Sequence, residues 1–349
     1  MSKRSLVGAL CLMLWLGASV VVAQEDPGRI SPGIVGATKA LTDEEQKAVV
    51  RYVEFHIERL KNAKELELSA AARNRLEEPY AQGGTDFFLS FYDQALGGRL
   101  AGALGSDKWF NRMNAMLAAS RVKDGRVADA IKGGLGDASS ATVYAAAKAA
   151  AAFADPDKNK VANAAAKQSL IAPLLDAMKK EKNPFTLEFI FQALINAGDV
   201  KAFNAVLVRL REMADARAAG GGGPISVEGT AIGGVYNRLA TADVNKESLD
   251  EATLKLLVLV AVRYMEVAAN MLTDKPGEQS LQSLLNTCDT AAQFGATVLT
   301  RNAANKFKVP ATIKGQSISV TKLTILDWKE ALKAAPFNFK PVEIDPGAK

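Results

Sequence analysis

Apolar side chains recur every three or four residues along most of this chain, a spacing that brings them to one face of an α-helix. The first clear case follows Thr42, where Val49, Val53 and Leu60 stand at helical intervals. Thr42 and Glu45 have the spacing of a capping box, in which each side chain accepts a hydrogen bond from the other residue's backbone N–H. The pattern therefore predicts a helix that begins just after Thr42.

Between residues 124 and 215 the helical pattern comes in pairs, each made of two helices joined by a polar turn. Leu135 and Met178 occupy matching places in successive pairs, 43 residues apart in the sequence. Val143 and Leu187 match in the same way at a spacing of 44 residues. A period of this length is typical of repeats built from stacked helix pairs.

In this paired region the sequence resembles the HEAT and armadillo-like family of helical repeats. The resemblance rests on Leu135-x-Asp137 before a turn and on Thr142-Val143 at the start of a second helix rich in alanine. The sequence departs from the family pattern in having Tyr144 where an arginine is usual, and the second pair lacks the aspartate. The resemblance implies an all-α fold, an irregular α-solenoid of stacked helix pairs. A plain irregular helix bundle is the alternative.

The strongest apolar segment of the second half covers residues 249–272. Its run 256–262 is apolar on every side, which predicts a buried, central helix. Arg263 and Glu266 close this run, and it is too short for a membrane span. Weak alternation over residues 311–321 predicts a small β-hairpin.

These patterns divide the chain into two helical regions separated by a glycine-rich linker. The expected parts are a signal peptide (1–23), a linker (24–41), a helical repeat-like domain (42–217), a glycine-rich linker (218–234), a C-terminal helical region (235–335) and a loose, proline-containing tail (336–349).

The N-terminal segment has the order of features that is typical of a secretory signal peptide. Lys3 and Arg4 precede an apolar run that ends at Val22, and Ala23 and a polar stretch follow it. We expect cleavage after Ala23, no membrane span in the mature chain, and a location in the periplasm or outside the cell. An uncleaved anchor is the alternative, although the run is short for a spanning helix of about 20 residues.

Composition agrees with a helical core and restricts the kinds of partner. Hydrophobic residues make up 48% of the chain and aromatic residues only 7%, and alanine is abundant, which favours closely packed helices over a sheet. The formal net charge is +5, and residues 301–349 alone hold nine Lys or Arg against four Asp or Glu. This basic region is suited to an anionic polymer, or it is simply a solvated face. We expect no nucleic-acid partner.

Few side chains are candidates for chemistry. His56, the one histidine, lies on the apolar stripe of its helix, which favours a packed side chain over a catalytic base. Cys288 follows Leu285 on another apolar stripe, which favours a buried thiol over a reactive thiol or an intermolecular disulfide. One histidine and one mature cysteine exclude zinc sites that need several such ligands, and iron–sulfur clusters.

Three further patterns suggest ligands or catalysis, but their context favours structural interpretations. Asp155 to Asn159 alternates oxygen side chains as a calcium loop does, but Lys160 stands where such a loop needs glycine, so we interpret it as a turn. Gly220 to Gly223 lacks the Lys-Ser or Lys-Thr pair of a phosphate loop, so we interpret it as a linker. Acidic pairs such as Glu44-Glu45 and Glu77-Glu78 lie in polar helical contexts.

The sequence therefore predicts no catalytic residue, no cofactor and no metal ligand. It favours an exported, non-enzymatic helical scaffold that binds another envelope protein. One alternative is an enzyme with an all-helical site, built around buried carboxylates or around His56 with a carboxylate partner. The other is a binder of anionic envelope polymers through residues 301–349.

Overall fold

The computed structural model describes residues 26–157, 164–221, 225–245, 247–301 and 307–346, and these form fifteen helices and no strand. The predicted all-α class is thus confirmed, while the predicted signal peptide lies outside the described residues. The helices are α1 (Pro32–Val35), α2 (Asp43–Lys61), α3 (Leu66–Ala81), α4 (Asp86–Ala103), α5 (Trp109–Ala119), α6 (Val127–Leu135), α7 (Ser140–Ala154), α8 (Ala164–Lys180), α9 (Pro184–Ala197), α10 (Val200–Ala218), α11 (Ser226–Val244), α12 (Glu251–Asp274), α13 (Gln279–Thr300), α14 (Ile318–Lys333) and α15 (Pro341–Ile344).

Helices α2 to α14 are stacked in two layers. Each even-numbered helix from α2 to α12 packs on the next even-numbered helix, and each odd-numbered helix from α3 to α11 packs on the next odd-numbered one. Contacts between consecutive helices, strongest in the pair α12 and α13, join the two layers. This order is compatible with a helical-repeat protein, in which each pair buries its apolar face against its neighbours.

The predicted start of α2 is confirmed. Thr42 Oγ1 accepts a hydrogen bond from the N–H of Glu45 at 3.4 Å, and Glu45 Oε2 accepts one from the N–H of Thr42 at 2.8 Å. The predicted stripe that includes Val49, Val53 and Leu60 is buried in the core. Local signals were sufficient here because capping and helical periodicity both involve residues close in sequence.

A bidentate ion pair joins α5 to the turn between α6 and α7. Arg112 Nε lies 2.6 Å from Asp137 Oδ2, and Arg112 Nη2 lies 3.1 Å from Asp137 Oδ1. Burial opposes ionisation of Asp137, but the hydrogen bond from Arg112 and the N–H of Ser139 outweigh it and hold the pKa of the carboxyl below its usual value. Asp137, singled out in the sequence, therefore links one helix pair to the preceding one.

Small residues bring the helices of this region close together. A Cβ atom placed on Gly134 of α6 would lie 2.5 Å from the sulfur of Met116 and 2.8 Å from the Cβ of Ala146. A Cβ atom cannot come this close to a sulfur atom or to another carbon atom. Helices α5, α6 and α7 therefore meet at a point where only glycine fits. The alanine-rich composition of α7 fits this close packing.

Helix α12 is the central helix that the sequence predicts. Its run 256–262 is largely buried, and the hydroxyl of Tyr264 donates to the carbonyl of Leu210 on α10 at 2.9 Å. Among the described residues, α12 is the one helix long and apolar enough to cross a membrane, but 67% of its most apolar window is buried inside the protein. Burial of this kind is typical of the core helix of a helical stack.

The predicted β-hairpin over residues 311–321 is wrong. Residues 311–317 are a loop with a turn at residues 314–315, and α14 begins at Ile318. The cause is a contact from another helix: the Asp289 carboxylate of α13 accepts from the hydroxyl of Thr312, and from the N–H of Ile313 at 3.2 Å. These polar groups are therefore satisfied by α13 rather than by a partner strand.

The loose tail predicted for residues 336–349 is also corrected, as far as residue 346. Phe337 and Ile344 are buried, and the ring of Phe337 lies edge-on to that of Phe307 at 5.4 Å. Arg211 Nη2 donates to the carbonyl of Glu343 at 2.6 Å, which fixes α15 to α10. Burial of these two apolar side chains thus holds the segment against the rest of the protein, although it contains prolines.

The predicted linkers are shorter than expected. Residues 24–41 include α1 from residue 32, and the hydroxyl of Thr85 donates to the carbonyl of Ala37 at 2.6 Å. In the segment 218–234, α11 already begins at Ser226, so more than half of the predicted linker is helical. Glycines of α11 allow close approach to its neighbours, since a Cβ on Gly234 would lie 3.2 Å from Ile195 of α9.

Candidate functional site

His56 is buried between two aromatic rings. The ring centroid of Tyr52 is 4.5 Å away and that of Phe55 is 5.1 Å away, both in edge-to-face geometry. Neither imidazole nitrogen has a hydrogen-bond partner among the described residues. Burial lowers the pKa of His56 to about 4, so the ring is neutral near pH 7. The arrangement favours the packing interpretation over that of a base oriented by a carboxylate.

Cys288 is buried in α13. Burial, reinforced by the neighbouring charge of Asp289, raises the pKa of the thiol well above its usual value. A thiol that stays protonated is a weak nucleophile, because the thiolate is the reactive form. The geometry favours a structural thiol.

The other predicted motifs lie at the ends of helices. Asp155 follows α7 and accepts from the N–H of Asp157 at 3.0 Å, while residues 158–163 lie outside the described residues. Gly220 and Gly221 follow α10, and residues 222–224 are likewise outside the description. Within the described ranges, no group of three or more His, Cys, Asp or Glu side chains is placed to hold a metal ion.

A cleft in the C-terminal half of the chain has a volume of about 650 Å³. It opens where α10 and α12 end, beside the segment that follows α15. Four carboxylates and two guanidinium groups line it: Asp215, Glu266, Asp274, Asp345, Arg217 and Arg263. The lining therefore carries an excess of negative charge.

Arg263 organises the charges of this cleft. Its Nε lies 2.9 Å from Asp215 Oδ1, and its Nη1 lies 2.6 Å from Glu266 Oε2. Lys329 of α14 continues the network, with Nζ at 2.5 Å from Glu266 Oε1 and at 3.4 Å from Asp345 Oδ2. The network connects α10, α12, α14 and the C-terminal segment, and charge-assisted bonds of this kind fix side-chain geometry.

Behind the cleft lies a buried ion pair. Glu228 Oε1 accepts from Arg217 at 2.7 Å from Nε and at 2.6 Å from Nη2. The Arg217 side chain is only 6% exposed and the Glu228 side chain only 1%. Burial raises the pKa of Glu228 although Arg217 opposes the rise. Removing one member of such a pair would leave the other as an uncompensated buried charge.

An apolar area continues from the cleft. A groove of about 240 Å³ between α12 and α14 shares Glu266 and Asn270 with the cleft and extends to Leu326. Leu326 belongs to an exposed stripe on α14 with Val320 and Leu323, spaced three residues apart. We call the cleft, the groove and this stripe together the C-terminal surface.

Sequence reasoning did not identify the C-terminal surface. Its residues come from α10, α12, α14 and the segment after α15, parts that no local pattern brings together. One signal was present: Arg263 and Glu266 interrupt an otherwise apolar helix. A charged pair on a buried helix requires partners, and those partners turned out to form the cleft.

No protein-family model matches this chain, and no curated protein matches it. What can be said of its function therefore follows from the geometry of its own residues.

Proposed function

We propose that this protein is an exported, non-enzymatic helical scaffold that binds another protein of the cell envelope through its C-terminal surface. The observation that carries the proposal is the continuity between the acid-rich cleft and the exposed apolar stripe of α14. Protein interfaces commonly combine an apolar centre with a polar, charged rim. The apolar stripe and the charged cleft of the C-terminal surface supply these elements side by side.

The position of α14 supports an interface. In stacked helical proteins the terminal helix normally turns a polar face to water, because no further repeat covers it. In α14, however, Val320, Leu323 and Leu326 are 45%, 63% and 56% exposed. A stripe of three such residues on an end helix is suited to packing against another helix.

Charge complementarity indicates the chemistry of the partner. With Glu228 and Lys329 counted, the cleft and the groups bonded to it hold five carboxylates against three cations, and this excess of negative charge favours lysine or arginine side chains. We therefore propose that the partner presents an amphipathic helix, with apolar side chains on one face and basic side chains beside them. The apolar face would cover α14, and the basic side chains would reach the cleft.

The alternative of an anionic polymer is less favoured by the arrangement of the C-terminal cations. Arg301 forms a bidentate pair with Asp243 at 2.9 Å, and Lys329 is part of the cleft network. Lys333 lies 2.5 Å from Glu330. Several of the basic groups thus have their charge compensated within the chain.

We further propose that the stack is a HEAT-like α-solenoid and that residues 1–23 direct export. The two-layer order of helices and the Arg112–Asp137 pair between successive helix pairs support the first proposal. The basic, apolar and small-residue order of the N-terminal sequence supports the second.

The interaction can be tested with a defined probe. The probe is a fluorescent amphipathic peptide of about five helical turns, made of leucine and lysine. A matched peptide has glutamate in place of lysine. We expect the basic peptide to bind, by fluorescence anisotropy, at least about tenfold more tightly than the acidic one. The double variant Leu323→Ser/Leu326→Ser should weaken that binding about tenfold, because it removes the apolar part of the interface.

The matched control is Phe185→Ser, which changes an exposed apolar residue of α9, away from the C-terminal surface. It should bind the basic peptide as the wild type does. Equal affinity for both peptides, or equal losses in the α14 variant and the control, would show that the C-terminal surface is not the binding site.

A further inference from the structure

A second cavity lies in the N-terminal half, far along the chain from the C-terminal surface. It has a volume of about 360 Å³ and is formed by the end of α3, the start of α4 and the loop between α5 and α6. Its size falls within the range of small-molecule pockets, about 300 to 1,000 Å³. The side chains that line it include Tyr80, Asp86, Leu89, Ser90, Asp93 and Asp124.

Asp93 is the buried polar group of this pocket. Its Oδ1 accepts from the hydroxyl of Tyr80 at 2.5 Å, and its Oδ2 accepts from the backbone N–H of Lys123 at 3.0 Å. The ring of Tyr80 is itself held edge-on to Tyr92 at 5.5 Å. The carboxylate is therefore fixed in place before any ligand arrives. A carboxylate has about four acceptor positions, so two hydrogen bonds leave it able to accept more.

The surroundings stabilise the ionised form of Asp93 only in part. Burial raises the pKa of this carboxyl to about 6, and the bonds from Tyr80 and Lys123 lower it less than burial raises it. Asp86 and Asp124 add two carboxylates at the pocket, against the ammonium group of Lys123 in its lining and the guanidinium of Arg126, whose Nε lies 3.8 Å from Asp124 Oδ1. The other charged group of the α5–α6 loop is Arg121.

The remaining wall is suited to an alkyl stem. Leu89 and the Tyr80 ring supply apolar surface, and Ser90 adds one hydroxyl. An aromatic face also attracts a cation placed over it. The pocket thus combines a fixed carboxylate, two further carboxylates and a short apolar wall.

We propose that this pocket binds a small organic cation that carries a primary ammonium group on a short alkyl stem, such as an alkylamine or a lysine-like side chain. The ammonium donates to Asp93 and faces Asp86 and Asp124, while the stem packs on Leu89 and Tyr80. Binding supplies the positive charge that offsets the burial of Asp93. The proposal is independent of the C-terminal surface.

The test uses n-pentylammonium as probe, with 1-pentanol and pentanoate as matched neutral and anionic molecules. Binding to the full protein is followed by NMR chemical-shift titration at about pH 7.5, well above the raised pKa of Asp93. We expect pentylammonium to bind at least about tenfold more tightly than either control molecule. Lowering the pH to about 5 should weaken its binding about tenfold, since Asp93 then takes up a proton.

Two variants locate the site. Asp93→Asn should weaken pentylammonium binding about tenfold, whereas Asp176→Asn, at an exposed aspartate of α8, should leave it unchanged. Asp124→Asn keeps the test decisive if Asp93→Asn does not fold, and it should weaken binding severalfold. Pentanol binding as tightly as pentylammonium, or full affinity in both pocket variants, would overturn the proposal.

Discussion

The cleft of the C-terminal surface and the pocket around Asp93 hold their carboxylates in different ways. In the C-terminal surface, Asp215 and Glu266 share the guanidinium of Arg263, a fully charged donor. In the pocket of the N-terminal half, Asp93 is bonded by a phenol and a backbone N–H, both neutral. The charged donor offsets the negative charge of two neighbouring carboxylates, whereas the neutral donors leave part of the desolvation of Asp93 uncompensated. The carboxylates of the cleft are thus paired with a cation, whereas the charge of Asp93 changes with pH near its raised pKa.

The largest effect is expected at the buried ion pair of Arg217 and Glu228 behind the cleft. Arg217→Met leaves Glu228 without its guanidinium, and we expect a loss of about 3–5 kcal/mol in the free energy of unfolding. Urea denaturation at pH 7 measures it. The double variant Arg217→Met/Glu228→Leu should recover most of the loss, because no charge is then buried. A single variant that loses less than about 1 kcal/mol would contradict the importance of charge pairing here.

The next largest effect is the pH dependence of the free energy of unfolding that Asp93 causes. Its pKa of about 6 in the folded protein lies above the value near 3.9 expected in the unfolded chain. The folded state therefore binds the proton more tightly, and this carboxyl contributes stability at low pH that is lost as pH rises through 6. Between pH 4.5 and 7 we expect Asp93→Asn to gain about 2 kcal/mol relative to wild type.

The measurement is a pair of urea titrations for wild type and Asp93→Asn, one at each pH. Asp176→Asn, at an exposed position, serves as the control and should show no such difference. If the stability gap between Asp93→Asn and wild type is the same at both pH values, folding does not raise the pKa of Asp93.

His56 is a buried group with no hydrogen-bond partner among the described residues. Its pKa is shifted downward, opposite to the shift of Asp93. Its pKa of about 4 lies below the unfolded value near 6.5, so the unfolded chain binds the proton more tightly. Stability from this residue is present at neutral pH and lost as pH falls through 6.5 towards 4. We expect the stability of His56→Leu, relative to wild type, to rise by about 1–2 kcal/mol between pH 7 and pH 5.

Thermal unfolding at the two pH values provides the measurement, with His56→Phe as a variant closer in volume. A relative stability of both variants that does not change with pH would show that the pKa of His56 is the same in the folded and unfolded states.

The elements that sequence reasoning found are those defined by neighbours in the chain. The capped start of α2 and the core position of α12 follow from spacing within a few turns, and both are present in the fold. The hairpin failed because its polar groups bond to Asp289, a residue of another helix. The loose tail failed because the burial of Phe337 depends on tertiary contacts that proline content does not reveal.

The sites were less accessible to sequence reasoning. Asp93 lies in a helix with no unusual pattern, and its bond to the N–H of Lys123 spans 30 residues. The cleft depends on Asp345, in a segment that composition alone describes as a tail. Only Arg263, placed beside an apolar run, gave a local indication, because a charge on a core helix needs a compensating group.

Arg263 also bears on how the chain is made. It lies at the middle of α12, the one described helix with the length and apolar content of a membrane span. On the export route proposed above, the nascent chain would pass a translocon with this segment unfolded, before its ion-pair partners are in place. A charged side chain at the centre of such a segment raises the free energy of lateral insertion into lipid by about 2.5–3.5 kcal/mol. If the chain is exported as proposed, the guanidinium that later organises the cleft would oppose diversion of the core helix into the bilayer during synthesis.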